Sequence, residues 1–220
     1  MTKNLILILI MFLGLSSCVT YKTKPSDFTP EGFIVYKTNF GDLNNDGQED
    51  CVLIIKGTNK DSLVVNRFNN IVDRNNRGVL VLLNSKDKYH LVSENYDCFY
   101  SENEDGGNYY IPQLNIVIEE GELIIGFEHG RYGWWNYKFK YIDSKFKLIE
   151  YKSVSSYSST TLTETHINFV IKEKLFSENI DPDYESNEQV FKETKSKISS
   201  SDLINLSDIK SFKDLDMSIY

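Results

Sequence analysis

The chain has 220 residues, and its 24 Lys and Arg against 32 Asp and Glu give a formal net charge of −8. That balance excludes nucleic acid as a natural partner, because phosphate backbones are gripped by Lys and Arg. It also disfavours lying flat on an anionic lipid surface, while the length suits one domain that can bury a core without staples.

The first residues combine one basic side chain, Lys3, with an apolar run over residues 5–15 and then Ser16, Ser17 and Cys18. This is the pattern of a secretory signal, with a core too short for a stable spanning anchor. Leu15-Ser16-Ser17-Cys18 resembles the lipobox of bacterial lipoproteins. The resemblance implies cleavage after residue 17 and acylation of Cys18, giving a durable membrane anchor with no spanning helix. Removing residues 1–17 leaves 220 − 17 = 203 residues, and loss of the Lys3 charge takes the net charge from −8 to −9. Residues 18–31, with Pro25 and Pro30 and no periodicity, read as the lipidated cysteine and its tether. No charge cluster follows Cys18 directly, so the expected location is the outer membrane of a bacterial envelope, facing the periplasm.

From residue 32 to 176 the pattern is of strands. Residues 33–38 and 51–56 are short β-rich runs, and residues 52–55 and 79–83 are continuously apolar, as in central strands covered on both faces. Between the first two strands lies Asp42-x-Asn44-x-Asp46-Gly47-x-x-Asp50. Oxygens at loop positions one, three, five and nine, with a carbonyl at position seven from Gln48, converge where the backbone turns tightly, and six to eight hard oxygens are what calcium takes. Gly47 stands at the sharp turn. Position twelve is Leu53 in place of a bidentate glutamate, and a strand follows, which excludes a standard EF-hand.

This strand-flanked loop, preceded by Phe40-Gly41, resembles those of FG-GAP repeats, the calcium-bearing turns of integrin-α-like propellers. The resemblance covers residues 40–56, and a single copy cannot make a propeller. It implies a structural calcium held by Asp42, Asn44, Asp46, Asp50 and the Gln48 carbonyl. The competing reading is an Asx-rich turn without metal, since Asn-Asp-Gly is also strong turn chemistry. Two partial echoes, Ser101-x-Asn103-x-Asp105-Gly106 with Tyr109 at position nine, and Asp181-x-Asp183-x-Glu185 without the glycine, read as solvated acidic loops.

Residues 84–87 form a polar turn before a strand at 88–94, and the strands at 114–119 and 123–128 flank the hairpin signal Glu120-Gly121-Glu122. Then His129-Gly130-Arg131-Tyr132-Gly133-Trp134 places a cation and two aromatics between glycines. Arg131, Tyr132 and Trp134 are therefore the candidate ligand-binding residues, against the alternative that aromatics beside strands simply pack. In the strand that follows, Trp135, Tyr137, Phe139 and Tyr141 share one face, so Trp135 is expected inside and Trp134 outside. Residues 153–161 read as a polar edge strand or loop. Ile167, Phe169 and Ile171 alternate again, turning His166 outward.

Residues 177–187 are polar and acidic, and they lead to two expected helices: 188–198, with Val190, Phe191 and Ile198, and 208–215, with Ser207 as N-cap and Ile209 and Phe212 three apart. The segment 177–220 is thus expected to pack helices on the β domain. With Cys18 spent on lipid, Cys51 and Cys98 remain, and in an exported chain they suit either one disulfide or two buried thiols.

The whole reads as all-β, an antiparallel meander packed as a sandwich or open barrel, with a propeller-like fragment as the other arrangement and short helices at the C-terminus. The lipobox, the FG-GAP-like loop and a composition rich in Asn, Lys, Ile and Tyr together resemble uncharacterised lipoproteins of Bacteroidetes-type bacteria. The resemblance implies an envelope protein whose calcium-stabilised domain binds a glycan or a protein partner. The alternative is a hydrolase of cell-wall or other polysaccharide, but the residues supply no catalytic set. His90, His129 and His166 lack metal spacing, and there is no Gly-x-Ser-x-Gly elbow or phosphate loop.

Overall fold

A computed structural model describes residues 19–103, 111–181, 189–199 and 202–220. Cys18, Asp105, Gly106, Tyr109, Asp183 and Glu185 lie outside the described residues. The fold is all-β, with antiparallel sheets and a curled half-barrel. The strands are β1 (Tyr21–Lys22), β2 (Phe33–Gly41), β3 (Asp50–Gly57), β4 (Leu63–Val65), β5 (Ile71–Asp73), β6 (Arg77–Ser85), β7 (Lys88–Phe99), β8 (Gln113–Glu119), β9 (Glu122–Glu128), β10 (Gly133–Ile142), β11 (Lys145–Tyr157), β12 (Thr160–Asn168), β13 (Glu173–Asn179) and β14 (Phe191–Lys197). They build a five-stranded sheet in the order β1-β7-β6-β3-β2, a seven-stranded meander in the order β14-β13-β12-β11-β10-β9-β8, and a small ribbon of β4 and β5.

The continuously apolar strands are the centre of the five-stranded sheet. Val52, Ile54, Val79, Val81 and Leu83 face the main core. Cys51, Leu53, Ile55, Leu80 and Leu82 face a second, smaller core on the outside. That outer core is closed by residues expected to be tether. Tyr21 pairs with His90 and Lys22 with Tyr89 at one sheet edge, and the chain then brings Phe28 onto the buried face and enters β2 at the opposite edge with Phe33 on that same face. The segment following Val19 is therefore packed structure, because an uncovered Leu53, Ile55, Leu80 and Leu82 would leave a large apolar patch in water.

The meander supplies the other wall of the main core through Ile116, Leu123, Ile125, Phe127, Tyr137, Phe139, Phe146, Leu148 and Ile167. Its hairpins turn at Glu120-Gly121 and Asp143-Ser144 with both central residues at positive φ, as do Lys86-Asp87 between β6 and β7. That turn geometry matches the right-handed twist of the flanking strands. Residues 153–157 belong to β11, an interior strand of the sheet and not an edge.

The C-terminal helices do not form. Residues 191–197 make β14, paired along β13 from Asn179↔Phe191 to Glu173↔Lys197. The open edge of β13 offers a full ladder of hydrogen bonds, which outweighs the weak helical spacing of Val190, Phe191 and Ile198. Among the described residues near the end there is one 3-10 turn, Leu206–Asp208. The backbone is satisfied from outside, with Asn95 Nδ2 donating to the carbonyls of Leu206 at 3.0 Å and Ile209 at 2.6 Å, and Phe212 N donating to Cys98 O at 3.0 Å. Leu206, Ile209, Phe212 and Met217 nevertheless enter the main core. The disulfide is also absent. Cys51 and Cys98 are free and buried, and they point to opposite faces of one sheet, Cys51 into the outer core and Cys98 into the main core.

Candidate functional site

The loop between β2 and β3 closes on its own side chains. Asp42 accepts from the amides of Asn44 (3.3 Å), Asp46 (3.2 Å) and Gly47 (2.8 Å). Asn44 Oδ1 accepts from Asp46 N at 3.0 Å, and Asp46 Oδ1 from Gln48 N at 2.8 Å. Asp50 is fully buried and clamps the loop to the sheet, accepting from Leu43 N and Asn84 N, each at 2.8 Å. Gln48 reaches across, its Oε1 accepting from Lys86 N at 2.7 Å. Gly47 has φ +80°, the left-handed conformation glycine tolerates best. The loop also touches the other sheet, since a Cβ on Gly121 would lie 2.2 Å from Asn45 Nδ2.

Burial pushes the Asp50 carboxyl above its ordinary range, the Leu43 and Asn84 amides oppose this, and the charges of Asp46 and Asp42 add to the rise. At Asp42 burial acts in the same direction, but the Gly47, Asn44 and Asp46 amides outweigh it and hold the carboxyl low. Among the described residues no three His, Cys, Asp or Glu side chains gather as a metal cluster. The loop's hard oxygens come from two residue classes, carboxylates at Asp42, Asp46 and Asp50 and amides or carbonyls at Asn44 and Gln48. An oxygen set of that mixed kind is the chemistry a calcium ion accepts.

The second candidate lies on the outer face of the meander. Trp134, the second residue of β10, is 38% exposed, while Trp135 turns inward and stacks on Phe127 with ring centroids 5.4 Å apart. In the register Trp134 stands between Glu128 on β9 and Val154 on β11, and Asn136 stands between Gly126 and Lys152. Gly126 also pairs with Asn115 on β8. A row that would otherwise read side chain after side chain therefore has a gap at Gly126. The result is a hollow of about 500 Å³ floored by Gly126 and walled by Trp134, Asn136, Asn115, Val117 and Glu128. A smaller hollow of about 270 Å³ lies on the other side of Trp134, against Val154, Glu164, His166 and Leu175.

Beside it, Glu150 gathers three cations or donors: Lys152 Nζ at 3.0 Å, His166 Nε2 at 2.8 Å and Lys138 Nζ at 3.8 Å. Burial raises the Glu150 carboxyl, but the bonds from Lys152 and His166 outweigh it and keep the group below its usual range.

The three residues singled out in the sequence do not line one hollow. Arg131 and Tyr132 form a 3-10 turn, Gly130–Tyr132, in which Arg131 Nη2 lies 2.9 Å from the Tyr132 hydroxyl and its guanidinium sits over that ring. Tyr132 packs against His129, ring centroids 5.1 Å apart, and neither Arg131 nor Tyr132 lines the hollows that Trp134 borders. Glu102 meets Lys56, Arg77 and Tyr36, away from this turn. The residues missed by sequence reasoning are Asn115, Gly126 and Asn136. The signal was present in the Glu120-Gly121 turn, which fixes the β8–β9 register and so places Asn115 opposite Gly126.

Comparison with protein-family models, curated proteins and solved structures finds no match for this chain.

Proposed function

We propose that the protein is an envelope lipoprotein, anchored through Cys18, whose β domain binds a glycan across the outer face of the meander at Trp134. The observation that carries the reading is an exposed indole beside a glycine-floored hollow with two amides and a carboxylate on its walls. An aromatic face takes the C–H face of a sugar ring, and amides and carboxylates take its hydroxyls, the few convergent polar groups a small-molecule site needs. Calcium in the 42–50 loop has a structural role in this reading, because the loop joins β2 to β3 and Asn45 meets Gly121 in the turn between β8 and β9, the two strands that carry Asn115 and Gly126.

A hydrolase needs two carboxyl groups within roughly 10 Å across the scissile bond. The hollow's carboxylates are Glu128, opposite Gln113, and Glu119, six residues further along β8. At the rise of a strand that separation is about 20 Å, too far for a catalytic pair within the hollow, and the nearer pair on this face, Glu122 and Glu150, is bridged by Lys138 Nζ at 2.9 Å and 3.8 Å.

The test is titration of a panel of neutral and charged oligosaccharides into the domain from Val19 onward, read by tryptophan fluorescence and calorimetry, with Trp134→Ala in parallel. Saturable binding lost in the variant, at an unchanged unfolding midpoint, is the expected result. Binding that survives Trp134→Ala, or none across the panel, overturns the proposal.

A further inference from the structure

A second site lies at the open end of the core, where the two sheets part. Its centre is a cross-strand pair on the inner face of the five-stranded sheet, Lys56 on β3 opposite Arg77 on β6. These cations are only 8% and 6% exposed. Arg77 is held in place by the Tyr100 carbonyl, which accepts from its Nη2 at 3.1 Å and Nε at 3.3 Å. Lys56 Nζ lies 3.0 Å from Asp73 Oδ2. Both cations sit over the Tyr36 ring, 5.7 Å (Lys56) and 5.4 Å (Arg77) from its centroid. Burying a lysine and an arginine side by side is costly, and the arrangement persists only where anions answer both charges.

The answering anion is the Glu102 carboxylate. Lys56 Nζ approaches its Oε1 at 3.2 Å, Arg77 Nη1 its Oε2 at 3.6 Å, and the Tyr36 hydroxyl donates to the same Oε2. Three donors from three adjacent strands thus converge on one carboxylate that enters from the chain after β7. Glu102 sits at the mouth of a cleft of about 590 Å³, with Tyr36 and Arg77 beside it and Ile54, Leu114, Ile116, Ile111 and Pro112 forming the apolar wall behind. A cleft of that size with a few fixed polar groups over an apolar wall is the usual form of a small-molecule site.

We infer that this cleft binds an amphipathic carboxylate, its acid group seated on Lys56, Arg77 and Tyr36 and its apolar body against Ile54, Leu114 and Ile116, in the seat that Glu102 fills in the ligand-free chain. Asp73 still answers Lys56 and the Tyr100 carbonyl still holds Arg77 when Glu102 swings out to solvent, so a ligand carboxylate can take over the contacts that Glu102 makes. Affinity is thereby reduced by the competition with Glu102, as for any ligand whose receptive state is only part of the population. The site is separate from the Trp134 face, and neither proposal depends on the other.

The probe is octanoate, titrated into the domain from Val19 onward by calorimetry and by two-dimensional NMR including the arginine Nε–H signals, with octanol as the uncharged control. In the unaltered protein, octanoate should bind and octanol should bind at least tenfold more weakly. Glu102→Gln, which keeps the side chain's shape and removes the competing charge, should tighten octanoate binding at least tenfold. Arg77→Gln in the same background should abolish the gain. Equal affinity for octanoate and octanol overturns the carboxylate seat, and this comparison needs no variant. No binding of octanoate by the wild-type chain and by a Glu102→Gln chain with native near-UV circular dichroism overturns the site altogether.

Discussion

Phe212, from the irregular C-terminal segment, stacks on Phe99 of β7 with ring centroids 5.1 Å apart and planes 15° from parallel. It also meets Tyr137 at 5.0 Å, Phe127 at 6.0 Å and Phe139 at 6.3 Å, so one ring touches both sheets. Phe212→Ala should therefore leave a cavity between the sheets and cost about 3–5 kcal/mol. Urea unfolding of the variant would show this as a lowered midpoint at unchanged slope.

The loop over residues 42–50 makes a prediction with a definite sign. The Asp50 carboxyl is raised in the fold, so the group favours folding most below its unfolded value, about 3.9, and loses that contribution as pH rises through the folded value. A cation bound in the loop would favour the charged form of this buried carboxylate and offset the cost of its burial. Calcium at about 100 times its dissociation constant should add about 2.7 kcal/mol at pH 7, less at pH 4, and nothing in Asp46→Ala. Thermal unfolding with and without calcium at the two pH values checks it.

At the hollow, an added Cβ on Gly126 meets nothing nearer than Asn136 Cβ at 3.8 Å and Asn115 O at 3.9 Å. Gly126→Val should therefore fold normally, gaining up to about 1 kcal/mol from the better strand former, while filling the hollow beside Trp134. Oligosaccharide affinity should fall at least tenfold with the unfolding midpoint unchanged or raised. Loss of binding together with loss of stability would assign the effect to the fold instead of the hollow.

The thiols should be silent in the native state. Burial pushes Cys51 up to about 12 and raises Cys98 further, and thiolate is the reactive form. Reaction with a thiol reagent should follow the global unfolding rate, and reduction should leave the mass unchanged, there being no bridge between Cys51 and Cys98.

Glu150 supplies the acid limb of stability. Burial raises it, Lys152 and His166 more than compensate, and its folded value lies below the usual range. Its contribution is present above the unfolded value, about 4.3, and disappears as pH falls through the folded value. Glu150→Gln should flatten the loss of stability between pH 5 and 3 in urea titrations.

Much of this architecture could be read from residue order. Period-two alternation set Trp135 inward and Trp134 outward, and the unbroken apolar runs at 52–55 and 79–83 identified strands buried on both faces. What failed did so for physical reasons. Val190, Phe191 and Ile198 are compatible with a helix locally, and only the vacant edge of β13 decides otherwise. The segment around Ile209 and Phe212 has core residues but takes its hydrogen bonds from Asn95 and Cys98, more than a hundred positions earlier, which no local pattern encodes. The site at Trp134 depends on a missing side chain, Gly126, and a gap leaves a weaker trace than a motif.

The long reach of those contacts has a kinetic meaning. Asn95 binds Leu206 and Ile209 across 111 and 114 positions, so the slot for Phe212 exists only once β7, β9 and β10 have met. Closing so large a loop is slow, and folding dominated by such pairings runs in milliseconds to seconds, not microseconds. In that interval the rings of Phe99, Phe127 and Tyr137 stand open to any apolar neighbour. Docking of the segment that carries Phe212 is thus the step that closes the aromatic centre, since that ring meets Phe99 on one sheet and Phe127 and Tyr137 on the other.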